Sequence, residues 1–235
     1  MKQRVVGVLG GMGPESTAEL LARIVRGTPV ATEQDHLRVI VDSNPKIPDR
    51  TLALLSGDTA PVIRALTETA RNLERAGAEL IGVPCNTAHA FLAEIRAGVG
   101  IPVLDMISET ADRARQVFGD ASVVGLLATD GTHHAGIYRH ALVRHGLVPV
   151  APTTQSVQRA VMAALGEVKL RGVSARSDRA MSVAIEDLTN QGATALIAGC
   201  TEVSLVLARH PPALPWLDPL QVLADALVRE AGGRP

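Results

Sequence analysis

Short runs of apolar residues alternate with helical stretches along the chain. The runs are rich in Val, Ile and Leu, which is typical of buried strands in a parallel sheet. The predicted strands are Arg4–Leu9, Leu37–Val41, Leu80–Val83, Ser122–Leu127 and Ala195–Ala198. Strands that alternate with helices predict an α/β fold with parallel sheets.

Helix starts follow several of these strands closely. Pro14 suits a first helical position, and Asn86–Thr87 precede a predicted helix over Ala88–Arg96. In the second half of the chain, Thr201–Glu202 precede a predicted helix over Val203–Ala208. Loops between strand ends and helix starts are where α/β folds bind ligands.

The second half of the chain repeats the first. Gly77–Cys85 aligns without a gap with Gly192–Cys200, and two more pairs of segments match in the same order at an offset of roughly 115 residues. These pairs are Val5–Leu9 with Val123–Leu127, and Ile101–Asp105 with Leu214–Asp218. We therefore expect two similar α/β domains related by a pseudo-twofold axis, with the active site in the cleft between them.

The repeat also sets the expected domain boundaries. The chain of 235 residues is long enough for two small domains, the first over residues 1–105 and the second over residues 106–218. A C-terminal helix over residues 219–231 belongs to the second repeat by order, or packs back onto the first domain.

Charge and hydropathy narrow the class of ligand. The formal net charge is -1, which gives no electrostatic footprint for nucleic acid or an anionic membrane. The sequence has no apolar run of about 18 residues and no signal-peptide pattern at its N-terminus. We expect a soluble, cytoplasmic protein that binds a small molecule.

The chain has two cysteines, at equivalent positions of the repeat. Cys85 and Cys200 are far apart and not in CxxC spacing, which argues against a disulfide scaffold and a four-ligand zinc site. Each follows a strand and precedes a helix N-terminus, where a thiolate is favoured. A single cysteine in this position is more often a small buried hydrophobe, but two at equivalent positions of the repeat favour a chemical role, in which an opposed pair would hold one base and one acid.

Cations and polar loops accompany the cysteines in both halves. Arg50, in the loop Ser43–Thr51, can bind a carboxylate through a planar two-pronged contact, and Lys169 is its approximate counterpart. Each alone is also consistent with a solvated surface charge. Gly10–Gly13 either presents backbone N–H groups to an anion or forms a tight turn without a ligand. Thr129–Thr132 occupies the matching place in the second half.

The histidines give weaker signals. His133 and His134 project in different directions on a helix, so we expect surface or capping residues rather than a metal site. His89 lies four residues after Cys85, which is a spacing for a proton relay. Because the other half has no matching Cys/His pair, structural packing is the preferred interpretation of His89.

Four motifs occur in order: Gly10–Thr17 (GGMGPEST), Asn44–Thr51 (NPKIPDRT), Pro84–His89 (PCNTAH) and Gly199–Glu202 (GCTE). With them the sequence resembles the aspartate/glutamate racemase family, closest to its aspartate racemase branch, over nearly the whole chain. The glutamate racemase branch looks like Asp-Ser-Gly and Gly-Cys-Thr-His at the first and last motifs. The resemblance therefore favours aspartate over glutamate.

The resemblance implies a racemase of two similar domains, often a homodimer, that uses no pyridoxal phosphate, metal or other cofactor. Carried over to matching positions, Cys85 and Cys200 are the two acid/base residues, and Arg50 and Lys169 receive the side-chain carboxylate of the substrate. The residues expected around the amino-acid head group are Met12, Asn86, Thr87, Thr132 and Thr201.

The resulting hypothesis is interconversion of L- and D-aspartate by proton transfer at Cα. The alternatives are a glutamate or broad-specificity racemase, a related cysteine-dependent isomerase or decarboxylase of small acids, and a non-enzymatic amino-acid binding protein. A redox switch through a disulfide between the two cysteines is a further, less favoured alternative.

Overall fold

The computed structural model describes residues 3–232, which divide into two compact units. The first unit holds the described residues up to Glu109 together with those from Leu220 onward, and the second holds Thr110–Pro219. The division of the chain into domains at residue 105 stays a prediction.

Strands and helices alternate through both units. The strands are β1 (Val6–Gly10), β2 (Val39–Ser43), β3 (Leu80–Gly82), β4 (Val123–Ala128), β5 (Val148–Val150), β6 (Ala195–Gly199) and β7 (Trp216–Leu217). The helices of the first unit are α1 (Pro14–Gly27), α2 (Arg50–Ser56), α3 (Ala60–Arg75), α4 (Leu92–Ala97) and α11 (Pro219–Glu230). Helix α5 (Met106–Phe118) begins at the end of that unit, and the helices of the second unit are α6 (Asp130–Ala135), α7 (Ile137–Arg144), α8 (Gln155–Arg171), α9 (Ala175–Asn190) and α10 (Thr201–Arg209).

Each unit contains a parallel sheet. The first sheet has the order β2-β1-β3, with Val103 forming a parallel bridge to Ile81, and the second has the order β5-β4-β6-β7. The predicted α/β fold with parallel sheets is therefore confirmed.

The two units repeat individual backbone hydrogen bonds. Ile81 N–H donates to the Pro102 carbonyl at 2.8 Å, and the matching Leu196 N–H donates to the Pro215 carbonyl at 2.9 Å. Ala78 and Ala193, which are also matched, each donate to a leucine carbonyl of the preceding helix at 3.0 Å. The repeat seen in the sequence thus extends to the register of the sheets.

Side chains of the first sheet alternate between two apolar layers. Val6 and Val8 of β1 pack in one cluster with α1 and α11, whereas Leu9 packs on the other face with α3. Helix α11 is anchored further by an ion pair of 3.0 Å between Arg229 and Glu109. The C-terminal helix therefore contributes to the core of the first unit.

Two local details differ from the sequence-based expectation. The helix predicted over Ala88–Arg96 is a 3-10 helix over Thr87–Phe91 followed by α4. Strand β5 was not predicted, because its run Val148–Val150 is short and contains Pro149. Within residues 3–232, no helix is both long enough and apolar enough to cross a lipid bilayer.

Candidate active site

Three loops meet at the carboxyl edge of the first sheet, because β1, β2 and β3 are parallel and adjacent. The loop after β1 lies directly against the loop after β2, where a Cβ on Gly11 would come within 2.5 Å of the Asn44 backbone. Gly11 N–H donates to the Thr17 hydroxyl at 2.8 Å, so this donor is already used within the loop. The close turn at Gly11 thus joins the first two loops of the site.

Cys85 lies in the third loop, after β3, and is buried. His89 fixes its backbone: the ring Nδ1 lies 2.9 Å from the Cys85 carbonyl, and Nε2 accepts the Met106 N–H at 3.2 Å. Because Met106 can donate only to an unprotonated Nε2, the proton of the neutral ring sits on Nδ1. Burial lowers the pKa of His89, in keeping with a neutral ring.

Arg50 is the first residue of α2, and this helix packs against the 3-10 helix that follows Cys85. Its Nη1 donates to the carbonyls of Pro48 and Ile47, at 3.0 and 3.3 Å. Its Nε is buried and has no hydrogen-bond partner among the described residues. An unpaired buried donor costs about 1–3 kcal/mol, so an anionic ligand at this nitrogen would be stabilised.

The second thiol lies at the start of α10. Cys200 is the N-cap residue of this helix, and its Sγ donates to Oε2 of Glu202 at 2.8 Å. Both side chains are buried. The pKa of Cys200 is raised well above its ordinary value, mainly by burial and to a smaller extent by the neighbouring Glu202 carboxylate, while the charge of Lys169 opposes this rise. Lys169 lies in the last turn of α8, a helix that packs against α10.

A cavity of about 530 Å³ lies elsewhere in the second unit. Thr132, His133, Pro152 and Gln158 are among the residues that line it. Of the described residues that line this cavity, Thr132 alone belongs to the predicted site, and neither thiol borders it. This cavity is therefore not the place where we expect the cysteine chemistry.

Comparison with known proteins identifies the family of this chain. The model of the Asp/Glu/Hydantoin racemase family matches residues 9–227, which is nearly the whole chain. The chain belongs to the Asp/Glu/Hydantoin racemase family. The resemblance seen in the four sequence motifs is thereby confirmed, and the family is one of isomerases.

Similar proteins within this racemase family cover the full length of the chain. The aspartate racemase of Picrophilus torridus is 31% identical, with a TM-score of 0.81 over 98% of this chain and 95% of its own. The broad specificity amino-acid racemase RacX of Bacillus subtilis is 25% identical over 95% of this chain and 96% of its own. The glutamate racemase RacE1 of Bacillus anthracis, 21% identical with a TM-score of 0.68 over 99% of this chain and 84% of its own, shows the fold alone.

Most of the residues predicted for the racemase site lie in the loops and helix starts that follow a strand of their own unit, whereas Lys169 lies in the last turn of α8. In the first unit, Met12 and Cys85 belong to one buried cluster, and Asn86 and Thr87 are buried directly after the thiol. Arg50 lies on the helix that packs nearby.

The predicted residues of the second unit follow the adjacent strands β4 and β6 or lie on α8, and different contacts hold them. Thr201 donates its hydroxyl to Oε2 of Glu202 at 3.2 Å, beside Cys200. Thr132 is held instead by Thr129, whose hydroxyl accepts the Thr132 N–H at 3.2 Å. Lys169 is linked to Cys200 through its charge. The role of each of these residues in catalysis stays a prediction.

Sequence reasoning missed the contact between Glu202 and the second thiol. The motif at residues 199–202 identified Glu202 as a capping residue and a marker of the racemase branch, without a partner for its carboxylate. The available signal was an acidic residue two positions after a buried cysteine. His133, expected as a surface or capping residue, is half-buried in the last turn of α6, and burial lowers its pKa.

His89 is expected to make the stability of the first unit depend on pH. Its pKa is lowered in the folded protein, so the unfolded chain binds the proton more readily, and stability falls as the pH drops below about 6.5, the ordinary histidine value. Urea unfolding of the His89→Gln variant should therefore show a shallower loss of stability on acidification than the parent protein.

The exposed His134, substituted by Gln, is the control and should leave the slope unchanged. His133 contributes in the same direction as His89, so some acid sensitivity should persist in the His89→Gln variant. Equal slopes for the parent and this variant would show that His89 does not become protonated on unfolding.

Proposed function

We propose that the protein is a cofactor-independent racemase that interconverts L- and D-aspartate by proton transfer between Cα and two thiols. The observation that carries this proposal is the equivalent placement of Cys85 and Cys200. Each is buried, follows the strand that pairs with the first strand of its unit (β3 with β1, β6 with β4), and precedes a helix or 3-10 helix. A pair of equivalent thiols suits a reaction whose forward and reverse directions are mirror images.

In the proposed reaction, one cysteine thiolate removes the α-proton and the other cysteine, as a thiol, protonates the opposite face of the carbanion. The proposal requires that both thiols reach one bound amino acid. For the reverse reaction, the two residues exchange roles. Because the α-proton is far less acidic than a thiol, donors around the α-carboxylate must supply most of the stabilisation of the carbanion. We assign this task to the loops and helix starts that hold Met12, Asn86, Thr87, Thr132 and Thr201.

The preference for aspartate rests on Arg50 and Lys169. Arg50 has a buried Nε without a partner among the described residues, and a substrate carboxylate would satisfy it. The similar protein of Picrophilus torridus is an aspartate racemase, which also favours this substrate. The similarity to RacX supports a second candidate, a broad-specificity amino-acid racemase.

The test of the proposed function is proton NMR of L-aspartate in D2O with the reduced protein and no added cofactor. Loss of the α-proton signal, followed by chiral detection of D-aspartate, is the expected result. Unchanged activity after treatment with a chelator and a carbonyl reagent would support chemistry without metal or pyridoxal phosphate. Absence of exchange with aspartate, but exchange with other amino acids, would favour the broad-specificity candidate.

Arg50→Ala is expected to raise KM for aspartate about 10- to 100-fold, because a hydrogen bond to a charged group contributes about 1.5–3 kcal/mol. The effect on kcat should be smaller if Arg50 contacts the side-chain carboxylate rather than the reacting carbon. Lys46→Ala, in the same loop and exposed, is the matched control and should leave KM unchanged. An unaltered KM in the Arg50 variant would exclude Arg50 from substrate binding.

A further inference from the structure

The two thiols have unlike surroundings despite their equivalent positions. The Cys200 thiol donates to Oε2 of Glu202 at 2.8 Å, and the Thr201 hydroxyl donates to the same oxygen at 3.2 Å. In the repeat, the residue that corresponds to Glu202 is Thr87, which has no carboxylate. The difference between the surroundings of the two thiols therefore arises from one pair of matched residues, Glu202 and Thr87.

A thiolate and a carboxylate in this arrangement would repel each other. Glu202 and Cys200 are 5% and 6% exposed, so little water screens their charges. Like charges at short range in a medium of low dielectric constant cannot both be ionised at low cost. The pair is therefore stabilised when it holds one proton, shared along the hydrogen bond between sulfur and oxygen.

Two neighbouring groups favour the loss of the proton from Cys200. The Lys169 ammonium and the backbone N–H of Glu202 both favour the thiolate of Cys200, but burial and the carboxylate outweigh them, and the pKa of Cys200 is raised. Strand β6, which packs against α10, carries no charged residue. Helix α9 places Asp178 against His210, 3.1 Å apart, beyond the far end of α10.

We propose that Glu202 is a positioning residue that keeps Cys200 protonated in the resting enzyme, so that Cys200 is the proton donor and Cys85 the base. This inference rests on the proposed racemase function. Within residues 3–232, no hydrogen bond joins the Cys85 thiol to a carboxylate. The resting enzyme is thus prepared for the enantiomer whose α-proton is presented to Cys85.

Every proton that is removed in this scheme is accounted for. The Cys85 thiolate takes the α-proton, so that the Cα–H bond breaks, an S–H bond forms and an electron pair remains on Cα. The S–H bond of Cys200 then breaks as its proton forms a new Cα–H bond on the opposite face. The Cys200 thiolate that results lies beside Glu202, which favours its reprotonation from solvent while Cys85 releases its proton.

The test uses Cys85→Ala protein, in which Cys200 is the remaining thiol. The rate of alkylation by iodoacetamide is measured against pH with Glu202 intact and with Glu202→Gln. The amide keeps the size of the side chain and removes its charge, so we expect the midpoint of the profile to move to lower pH by about one unit or more. The midpoint, unlike the rate itself, does not depend on how easily the reagent reaches the sulfur.

The expected change in rate follows from the same shift. A pKa lower by one unit raises the thiolate fraction about tenfold and reduces its intrinsic reactivity about threefold, for a net acceleration of about threefold at neutral pH. Glu202→Asp keeps the charge, so the midpoint of its alkylation profile should lie between those of the protein with Glu202 and the Glu202→Gln variant. Glu186→Gln, which removes an exposed carboxylate of α9, should leave the midpoint unchanged.

Two results would overturn the proposal. An unchanged midpoint in Glu202→Gln would mean that the carboxylate serves only to cap α10. A midpoint moved to higher pH, with slower alkylation, would mean that Glu202 instead withdraws the proton and makes Cys200 the resting base. Alkylation needs no substrate, so failure of the racemase assay with intact protein is distinguishable from failure of the role given to Glu202.

Discussion

Replacing Cys85 or Cys200 by alanine is expected to abolish the racemisation of aspartate. A positioned acid or base contributes about 10²- to 10⁴-fold to a rate, and each single variant removes one of the two groups that the proposed reaction requires. The measurement is the rate of D-aspartate formation from L-aspartate, together with the reverse reaction. Both directions should be lost to the same extent, because each thiol acts once in each direction.

Exchange of the α-proton separates the roles of the two thiols. Cys200→Ala protein retains Cys85 as a base, so it should exchange the α-proton of one enantiomer with D2O without inverting the centre. Cys85→Ala protein should exchange the other enantiomer. Thermal unfolding of each variant is the control for folding, since both thiols are buried. Substantial racemisation by either folded variant would exclude the two-base scheme.

Much of the fold could be predicted from the sequence because its strands are nearly uniform in hydropathy. Runs such as Val6–Gly10 and Ala195–Gly199 are buried along their whole length, which is the pattern of a parallel strand covered on both faces. The matched cysteine segments predicted the repeat, and the two sheets share the arrangement in which the first strand of each unit pairs with the next two strands. The same reasoning predicts site residues after the strand ends, and their roles in catalysis stay predictions.

The elements that were missed have local physical explanations. Strand β5 is an edge strand, where a proline is tolerated because one side of the strand makes no sheet hydrogen bonds, so Pro149 did not prevent pairing with β4. The start of the segment after Cys85 is a 3-10 helix, and the short Thr87–Phe91 stretch offers no periodicity that separates it from an α-helix. Both misses concern short segments fixed by their neighbours.

The contact between Glu202 and Cys200 could not be read from residue order. A residue two positions after a helix N-cap usually faces a different direction from the N-cap side chain, and Glu202 in the first turn is equally favoured by the helix dipole alone. The direction of its side chain, and its burial, depend on packing between α10 and α8. Sequence therefore located the thiol but not the group that controls its proton.

Gly11→Ala is expected to lower both stability and activity strongly. The new Cβ would lie 2.3–2.5 Å from the C, N and O atoms of Asn44, and Gly11 has a φ of 93°, which is unfavourable for alanine. The obstacle is backbone, so no side-chain rotation relieves the clash. Overpacking of this kind costs about 1–3 kcal/mol, and a strained backbone adds a similar amount.

The loss of activity should be larger than the loss of folded protein alone would cause, because displacement of Asn44 moves the loop that leads to Arg50. The Asn44 side chain makes two hydrogen bonds: its Oδ1 accepts the Lys46 N–H at 3.0 Å, and its Nδ2 donates to the Thr69 hydroxyl at 3.2 Å. A shift of Asn44 would therefore disturb the whole turn. Urea unfolding and kcat/KM for aspartate measure the two effects separately.

The matched control is Gly27→Ala, at the end of α1 in the same unit. A Cβ there would meet its nearest atom, in Val228, at 3.8 Å, which is ordinary contact, and alanine is the better helix former. This variant should be as stable as the parent or slightly more stable, with unchanged activity. If Gly11→Ala behaved like Gly27→Ala, the turn between β1 and α1 would not be what holds the Arg50 loop in place.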